Sequence, residues 1–352
     1  MLNLAFVGFR HGHINGLYTQ AMENPDVSVV AAFEENEAAR KAAEETLGVK
    51  FTHDSYEALL ADPTIDAVAI GDYFGIRGAR AIAALKAGKH VIADKPLCTS
   101  LKELNLIEKL SRQKGLKVGC MFDLRLNAWV EPVRDFIFSG KLGAIHQISF
   151  TAQHPLNWGT RPAWYFEDGK QGGTINDIGI HGIDLIPYIT GLKFKKVIAA
   201  RQWNAYAKLA PKFMDSAQFM AELDNGAGVM ADVSYAAPSS CGFKLPQYWR
   251  FTIWGEKGVI ECGGNTRPVI SVALQGSDGP VELEVPEDTH QSLDVFVDPN
   301  ASAEDKKPVR AQRQILDFFL ADLASAPTPL NTATVIESSR TALTIQAAVD
   351  RA

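Results

Sequence analysis

The chain has 352 residues, of which 46% are hydrophobic and 22% charged, with a formal net charge of −6. That length allows two domains with full cores, and the negative balance excludes a general attraction to nucleic acid or anionic membrane. No apolar run reaches the roughly 18 residues of a membrane span, and the four cysteines, Cys98, Cys120, Cys241 and Cys262, lie far apart, which argues against a zinc site or disulfide framework and fits the reducing cytoplasm.

The first third alternates strand and helix. Strand patterns at Leu4–Val7, Val27–Phe33, Asp66–Ile70, His90–Ala93 and Lys117–Cys120 are separated by helical patterns at Glu35–Leu47, Ser55–Ala61, Arg77–Ala87 and Ser100–Gln113. This alternation predicts an α/β Rossmann domain, a doubly wound parallel sheet, over residues 1–121. Met1 to Gly8 already reads as a core strand rather than a secretory leader.

After the first strand comes Gly8-Phe9-Arg10-His11-Gly12-His13. A dinucleotide fingerprint, G-x-G-x-x-G, belongs here. Arg10 takes the place of its second glycine, His13 the third, and Gly12 comes one residue early. The turn therefore reads either as a cofactor site, in which Arg10 meets the pyrophosphate, or as a glycine-rich turn without a ligand. Glu34 ends the second strand, where a ribose-binding acid belongs. A carboxylate there accepts from a free 2′-hydroxyl and repels a 2′-phosphate, which favours NAD over NADP. Its other reading is an acid at the start of the next helix. Arg10 and Arg40 leave NADP open.

Lys95, at the carboxyl end of the fourth strand and followed by Pro96, lies where open parallel sheets bind ligands. Beyond Met121–Leu126 the pattern changes, and residues 122–352 read as an α+β domain with a large, mostly antiparallel sheet. Val130–Phe138 is helical and Gln147–Ala152 a strand. Aromatic and polar residues then cluster around Trp158, Arg161 and Trp164, a composition suited to sugar faces and hydroxyls or equally to core under a loop.

Residues 172–184, Gly-Gly-Thr-Ile-Asn-Asp-Ile-Gly-Ile-His-Gly-Ile-Asp, space Asp177, His181 and Asp184 by four and three. On a helix this stacks them on one face, amid isoleucines that imply burial. Burying these groups is costly unless they are paired or used. Asp184 reads as structural. With Lys95, the set suggests a cation, a base and an orienting carboxylate around one reacting hydroxyl.

From Lys195 to Val285 the chain reads as strands, with hairpin turns at Asp224-Asn225-Gly226 and Gly255–Gly258. Pro286–Pro308 reads as a surface loop, and helical patterns at Arg310–Leu323 and Thr332–Val349 close the chain. Phe219, Ala221 and Leu223 alternate to bury one face of the sheet.

Together, Ala87-Gly88-Lys89-His90-Val91 leading into Asp94-Lys95-Pro96, and Gly172, Gly173, Asp177, Gly179, His181 and Asp184, resemble the motifs of the glucose–fructose oxidoreductase / inositol dehydrogenase / MocA family. The resemblance covers essentially the whole chain, with Asp94 for the usual glutamate and Thr174 for a third glycine. It implies NAD(P)-dependent transfer of a hydride to or from a carbinol of a sugar, polyol or related compound. By position, Lys95 is implied to contact the reacting hydroxyl and the nicotinamide side, His181 to be the acid/base and Asp177 to position the hydroxyl. Elementary chemistry agrees: an imidazole of pKa about 6.5 accepts a proton near neutrality, and an ammonium stabilises a developing alkoxide.

The resemblance also places Arg125 at the substrate. Arg125, Arg161 and Lys170 together suit an anionic sugar. Where the family shows T-P-x-x-x-H, this chain has Asp72 near the proline and Arg77 at the histidine. The cofactor half is thus expected to comprise Gly8, Arg10, Gly12, His13, Glu34, Asp72, Arg77 and Lys95, with no metal. The substrate half is expected to comprise Arg125, Trp158, Arg161, Trp164 and Asp177. A homodimer or homotetramer is expected, with a small sugar or polyol as partner. Two other readings compete. One is an NAD-retaining glycoside hydrolase acting by transient oxidation and elimination. The other is a nucleotide or sugar sensor without activity, which would have no need of Lys95, Asp177 and His181.

Overall fold

The computed structural model describes residues 1–286 and 314–349. The chain forms two compact units. The first contains Met1–Phe122, Gly169–Gly172 and the described part of Gln291–Arg340; the second contains Asp123–Asp168, the chain from Gly173 through the described sheet, and the end of the last helix.

The first unit runs β1 (Leu2–Val7), α1 (His13–Glu23), β2 (Val27–Phe33), α2 (Glu37–Leu47), α3 (Tyr56–Ala61), β3 (Ala67–Ile70), α4 (Phe74–Lys86), β4 (His90–Ala93), α5 (Leu101–Lys114) and β5 (Val118–Cys120). The strands pair in parallel in the order β2-β1-β3-β4-β5. Their residues are apolar and buried along whole runs, such as Ala67–Ile70, as a sheet covered on both faces requires. Asn36, Ser55 and Ser100 cap α2, α3 and α5, each accepting from a first-turn amide. The strand order reverses between β1 and β3, so the carboxyl ends of these strands and of β4 border the switch point where such sheets take ligands. Gly8, the end of β2, Asp72 and Lys95 all belong to that edge.

The second unit contains α6 (Val130–Phe138), β6 (Ile145–Pro155), α7 (Ile180–Thr190), β7 (Phe194–Trp203), β8 (Ser216–Leu223), β9 (Gly228–Ala237), β10 (Arg250–Gly255), β11 (Gly258–Gly263), β12 (Val269–Leu274) and β13 (Val281–Glu282). Its eight strands follow the order β13-β12-β11-β10-β6-β9-β8-β7. Every pairing is antiparallel except β6 with β9. Phe150, Phe219 and Phe251 form the aromatic core of one face, with centroids 5.3 and 5.8 Å apart about Phe150. Against it lies α7, and a Cβ at Gly182 would fall 2.5 Å from the Phe150 ring. Only glycine lets this helix approach so closely.

Two differences from the sequence reading bear on the site. The helix expected at Arg310–Leu323 is described from Ile315, as α8 (Ile315–Leu323), and packs with the first unit although chain order suggested the second domain. The reason is β5, an edge strand with an apolar face to cover. Phe319 lies against Gly119, Lys117 pairs with Asp322 at 3.0 Å, and Val118 N donates to Thr332 Oγ1 at the start of α9 (Thr332–Val349). The second difference is the turn carrying Asp177: Ile175–Gly179 is π-helical and α7 begins only at Ile180. The surface loop expected at Pro286–Pro308 lies, beyond Pro286, outside the described residues.

Candidate active site

In the first unit, the loop that carries Lys95 is fixed by Arg77. This side chain has no exposed surface. Its Nε donates to Asp72 O at 2.7 Å, its Nη1 to the carbonyl of Lys95, and its Nη2 to Asp94 Oδ2 at 3.2 Å. Arg77 was expected at the cofactor; its donors go to the backbone that follows β3, to the backbone that follows β4 and to Asp94. Lys95 itself is buried, with its ammonium 5.9 Å from the Phe74 ring centroid, and precedes a cis peptide bond to Pro96.

Asp94 gathers the two histidines of the first turn. His11 Nδ1 is 2.5 Å from Asp94 Oδ2 and His13 Nδ1 is 3.2 Å from Asp94 Oδ1. Burial works against the Asp94 charge, but Arg77 and the histidines outweigh it and hold the carboxyl well below the usual range. Burial lowers His11 to about 4 against the pull of Asp94, so near neutrality it donates to Asp94 as a neutral ring. By donor type, His11, His13 and Asp94 could hold a divalent ion. However, Asp94 already balances the buried Arg77, and Lys95 is near enough to depress His11 further. A dication there would share Asp94 with Arg77 and face the Lys95 charge.

The β2 end forms a second ion cluster. Glu34 accepts from Phe9 N at 2.7 Å, from Asn36 N at 2.6 Å and from Arg10 Nε at 3.2 Å, and its side chain has no exposed surface. Arg10 continues to Glu35 at 3.1 Å, and Arg80, which the sequence reading left out, joins Glu35 and Asp72 at 3.1 and 3.3 Å. Burial pushes Asp72 up to about 6, helped by Glu34 and Glu35 and opposed by Arg80 and Arg10. Burial also acts to lower Arg10, but Glu34, Asp72 and Glu35 prevail and raise it. Gly8, at φ +78°, passes so close to Asp72 that a Cβ would lie 2.6 Å from its backbone N, whereas a Cβ at Gly12 would meet nothing within 4 Å.

In the second unit, Asp177 and His181 are both buried. The Tyr235 hydroxyl on β9 donates to Asp177 Oδ2. His181, in the first turn of α7, turns Nδ1 toward Asp123 Oδ1 at 3.5 Å and sets its ring edge-on to Trp249 at 5.2 Å. Trp249 also meets His154, whose ring packs on Tyr248 at 4.5 Å and faces Tyr235 at 6.5 Å. Asp184 is taken by Arg125 through two charge-assisted bonds of 2.6 and 2.7 Å, which ties α7 to the chain at 123–126. Arg161 donates to the carbonyls of Leu156 and Pro155 and lies over the Tyr165 and Tyr235 rings. Trp164 is buried and stacked on Tyr165 at 4.1 Å, and Trp158 is 46% exposed.

Two family models match this chain in sequence. One, an oxidoreductase family with an NAD-binding Rossmann fold, covers residues 2–122, and the C-terminal domain of the same GFO/IDH/MocA family covers 130–261. The chain belongs to the GFO/IDH/MocA oxidoreductase family. Among its relatives, an uncharacterized oxidoreductase, YrbE, of Bacillus subtilis is 25% identical over 263 residues, 73% of this chain and 72% of that protein. A 1,5-anhydro-D-fructose reductase of Ensifer adhaerens is 31% identical over 46% of this chain and 48% of its own length. A levoglucosan dehydrogenase solved with NADH and L-sorbose shares the fold at a TM-score of 0.76 and 20% identity, over 99% of this chain and 97% of its own.

For a GFO/IDH/MocA member, the first turn is unusual but fits a dinucleotide. Gly8 supplies the tight approach and Gly12 leaves open space at the α1 N-terminus, where a pyrophosphate is favoured. Arg10 fills the second glycine's position and covers Glu34. Tyr235, Asp123, His154 and Trp249 were not among the expected site residues. Tyr235 reads as an alternating strand residue, and its partner Asp177 is 58 positions away, a pairing with no local signal. Asp123 lies at the domain junction, Met121–Leu126, the one signal that pointed toward it. Among the described residues no helix is long and apolar enough to cross a membrane.

Proposed function

We propose that this chain is a dehydrogenase that moves a hydride between NAD and a secondary carbinol of a neutral sugar or polyol. When bound, the nicotinamide supplies or accepts that hydride. Gly8, Arg10, Gly12 and His13 form the turn that would hold the pyrophosphate. Glu34 stands at the β2 end where a ribose-binding acid favours NAD, while Arg10 and Arg80 pair with the acids there and leave NADP open. His181 removes the hydroxyl proton as the carbonyl forms, Lys95 stabilises the charge developing on that oxygen, and Asp177, fixed by Tyr235, orients the hydroxyl. The observation that carries this reading is the pair of buried ionisable groups on the second unit, Asp177 and His181, each with a polar partner. An apolar core would not keep them for stability alone.

Trp158, 46% exposed, offers a flat face for sugar C–H surfaces, whereas Trp164 is buried against Tyr165. Arg125 and Arg161 commit donors to Asp184 and to backbone carbonyls, which weakens the case for an anionic sugar. Association into a homodimer or homotetramer is supported by apolar side chains exposed on β7 to β10: Ile198, Met220, Met230 and Trp254 are about half exposed, with Met220 and Met230 directly paired across strands. A cytoplasmic location is consistent with the free cysteines.

The test is formation of NADH from NAD with myo-inositol, glucose and levoglucosan, and its consumption with 1,5-anhydro-D-fructose. Turnover should fall by on the order of 10²-fold or more in His181→Ala with folding intact. Near-normal turnover in that variant would remove His181 from the reaction. Release of aglycone from a glycoside without net NADH would replace dehydrogenation by the hydrolase reading.

A further inference from the structure

We infer that Asp123 is a positioning residue for His181, fixing which ring nitrogen carries the proton and raising the basicity of the other. The inference rests on the reading of His181 as the acid/base. It starts from the 3.5 Å separation of His181 Nδ1 and Asp123 Oδ1. That distance is long for a hydrogen bond between neutral groups and within reach of an ion pair once the imidazole is protonated. A carboxylate facing Nδ1 selects the tautomer with its proton on Nδ1, so the Nε2 lone pair is the one left to act as base. The same carboxylate favours the imidazolium, as a neighbouring opposite charge does.

The other charged groups near His181 are already engaged. Asp177, one turn earlier, accepts from the Tyr235 hydroxyl. Asp184, one turn later, is held at both oxygens by Arg125. From α6, which packs on α7, Glu131 accepts from the Tyr188 hydroxyl and Arg134 lies over the Tyr188 and Phe138 rings. From the strands, His154 and Tyr248 stand behind Trp249, whose ring covers one edge of His181. Asp123 is thus the carboxylate aimed at the His181 ring nitrogen. Its side chain is 15% exposed against 4% for His181, so it brings a charge to a buried ring without full desolvation of its own. Two residues on, Arg125 anchors the same short turn to α7 through Asp184, which fixes Asp123 relative to the helix that carries His181.

The test is a histidine titration of the full-length protein, labelled with nitrogen-15 in its histidines. The His181 signals are assigned by their loss in His181→Gln. In Asp123→Asn the apparent pKa of His181 should fall by about one unit, a tenfold change in the protonation equilibrium, and the neutral tautomer population should shift away from Nδ1–H. Asp123→Glu should restore the original titration to within a few tenths of a unit. The acidic limb of kcat/KM for NAD-linked oxidation, measured with the best substrate of the panel above, should move to lower pH with the titration. An unchanged titration and tautomer in both Asp123→Asn and Asp123→Ser would overturn the inference, as would a rate loss uniform across pH. If Asp123→Asn does not fold, Asp123→Ser carries the comparison. The parent reading fails separately: His181→Ala would then keep its turnover, whatever Asp123 does to the titration.

Discussion

Arg77 shows how one buried charge can brace a loop. Its guanidinium satisfies the Asp72, Lys95 and Pro96 carbonyls and the Asp94 carboxylate at once, so the loop bearing Lys95 is held by one planar fork of donors. Nearby, Asp72 and His11 titrate in opposite senses. Asp72, at about 6 when folded, binds a proton more readily in the native state than in the unfolded chain. Its contribution is therefore full below the unfolded carboxyl pKa and is lost as pH rises through 6. His11, at about 4, is the reverse: its contribution is present above the unfolded histidine pKa and lost as pH falls through 4. The two slopes oppose each other between roughly pH 4 and 6. In Asp72→Asn only the histidine slope remains, so stability should rise more steeply with pH over that window, by up to about 1.4 kcal/mol per pH unit. Urea unfolding at several pH values checks this, and an unaltered slope would show that Asp72 is ionised throughout.

At the scale of elements, most of what the strands and helices do was legible. The alternating pattern of residues 1–121 anticipated the five parallel strands, and the Asp224-Asn225-Gly226 turn anticipated the β8–β9 hairpin. Within the site, the residue types and the buried surroundings of Asp177 and His181 were legible too. Their partners were not, because hydrogen bonds from Tyr235 and the approach of Asp123 depend on tertiary contacts that leave no local pattern. The helical spacing of Asp177 and His181 suggested one continuous face, whereas the π turn at Ile175–Gly179 changes the register before α7 begins. Arg10 and Arg77 stood out as departures from the glycine-rich turn and from the T-P-x-x-x-H segment, yet only the fold shows Arg10 paired with Glu34 and Arg77 bonded to the Lys95 loop. Close packing of α7 has a direct test. Gly182→Ala should destabilise the protein by about 1–3 kcal/mol, because the new methyl must displace the Phe150 ring. A change below about 0.5 kcal/mol by denaturant unfolding would mean that the helix shifts freely.

At the scale of the whole molecule, the residues of the proposed reaction belong to both units. The first carries the Gly8–His13 turn, the β2 acids and Lys95; the second carries Asp177, His181 and the aromatic residues. The second unit's sheet leaves Ile198, Met220, Met230 and Trp254 exposed on strands whose alternate residues are core. If this face joins copies of the chain, Met220→Glu together with Met230→Glu should lower the molar mass measured by light scattering to that of one chain, 38.4 kDa. An unchanged oligomer would place the interface elsewhere.

The reaction proposed for this chain requires a nicotinamide cofactor on a turn where arginine replaces glycine. Calorimetric titration of the purified protein with NAD and then NADP, after a spectroscopic check for nucleotide already bound, addresses that claim without knowledge of the sugar. Saturable binding with NAD the tighter of the two is the predicted result, and it would make Gly8, Gly12 and Glu34 parts of a working site. Binding of neither nucleotide, with none carried through purification, would contradict the dehydrogenase reading.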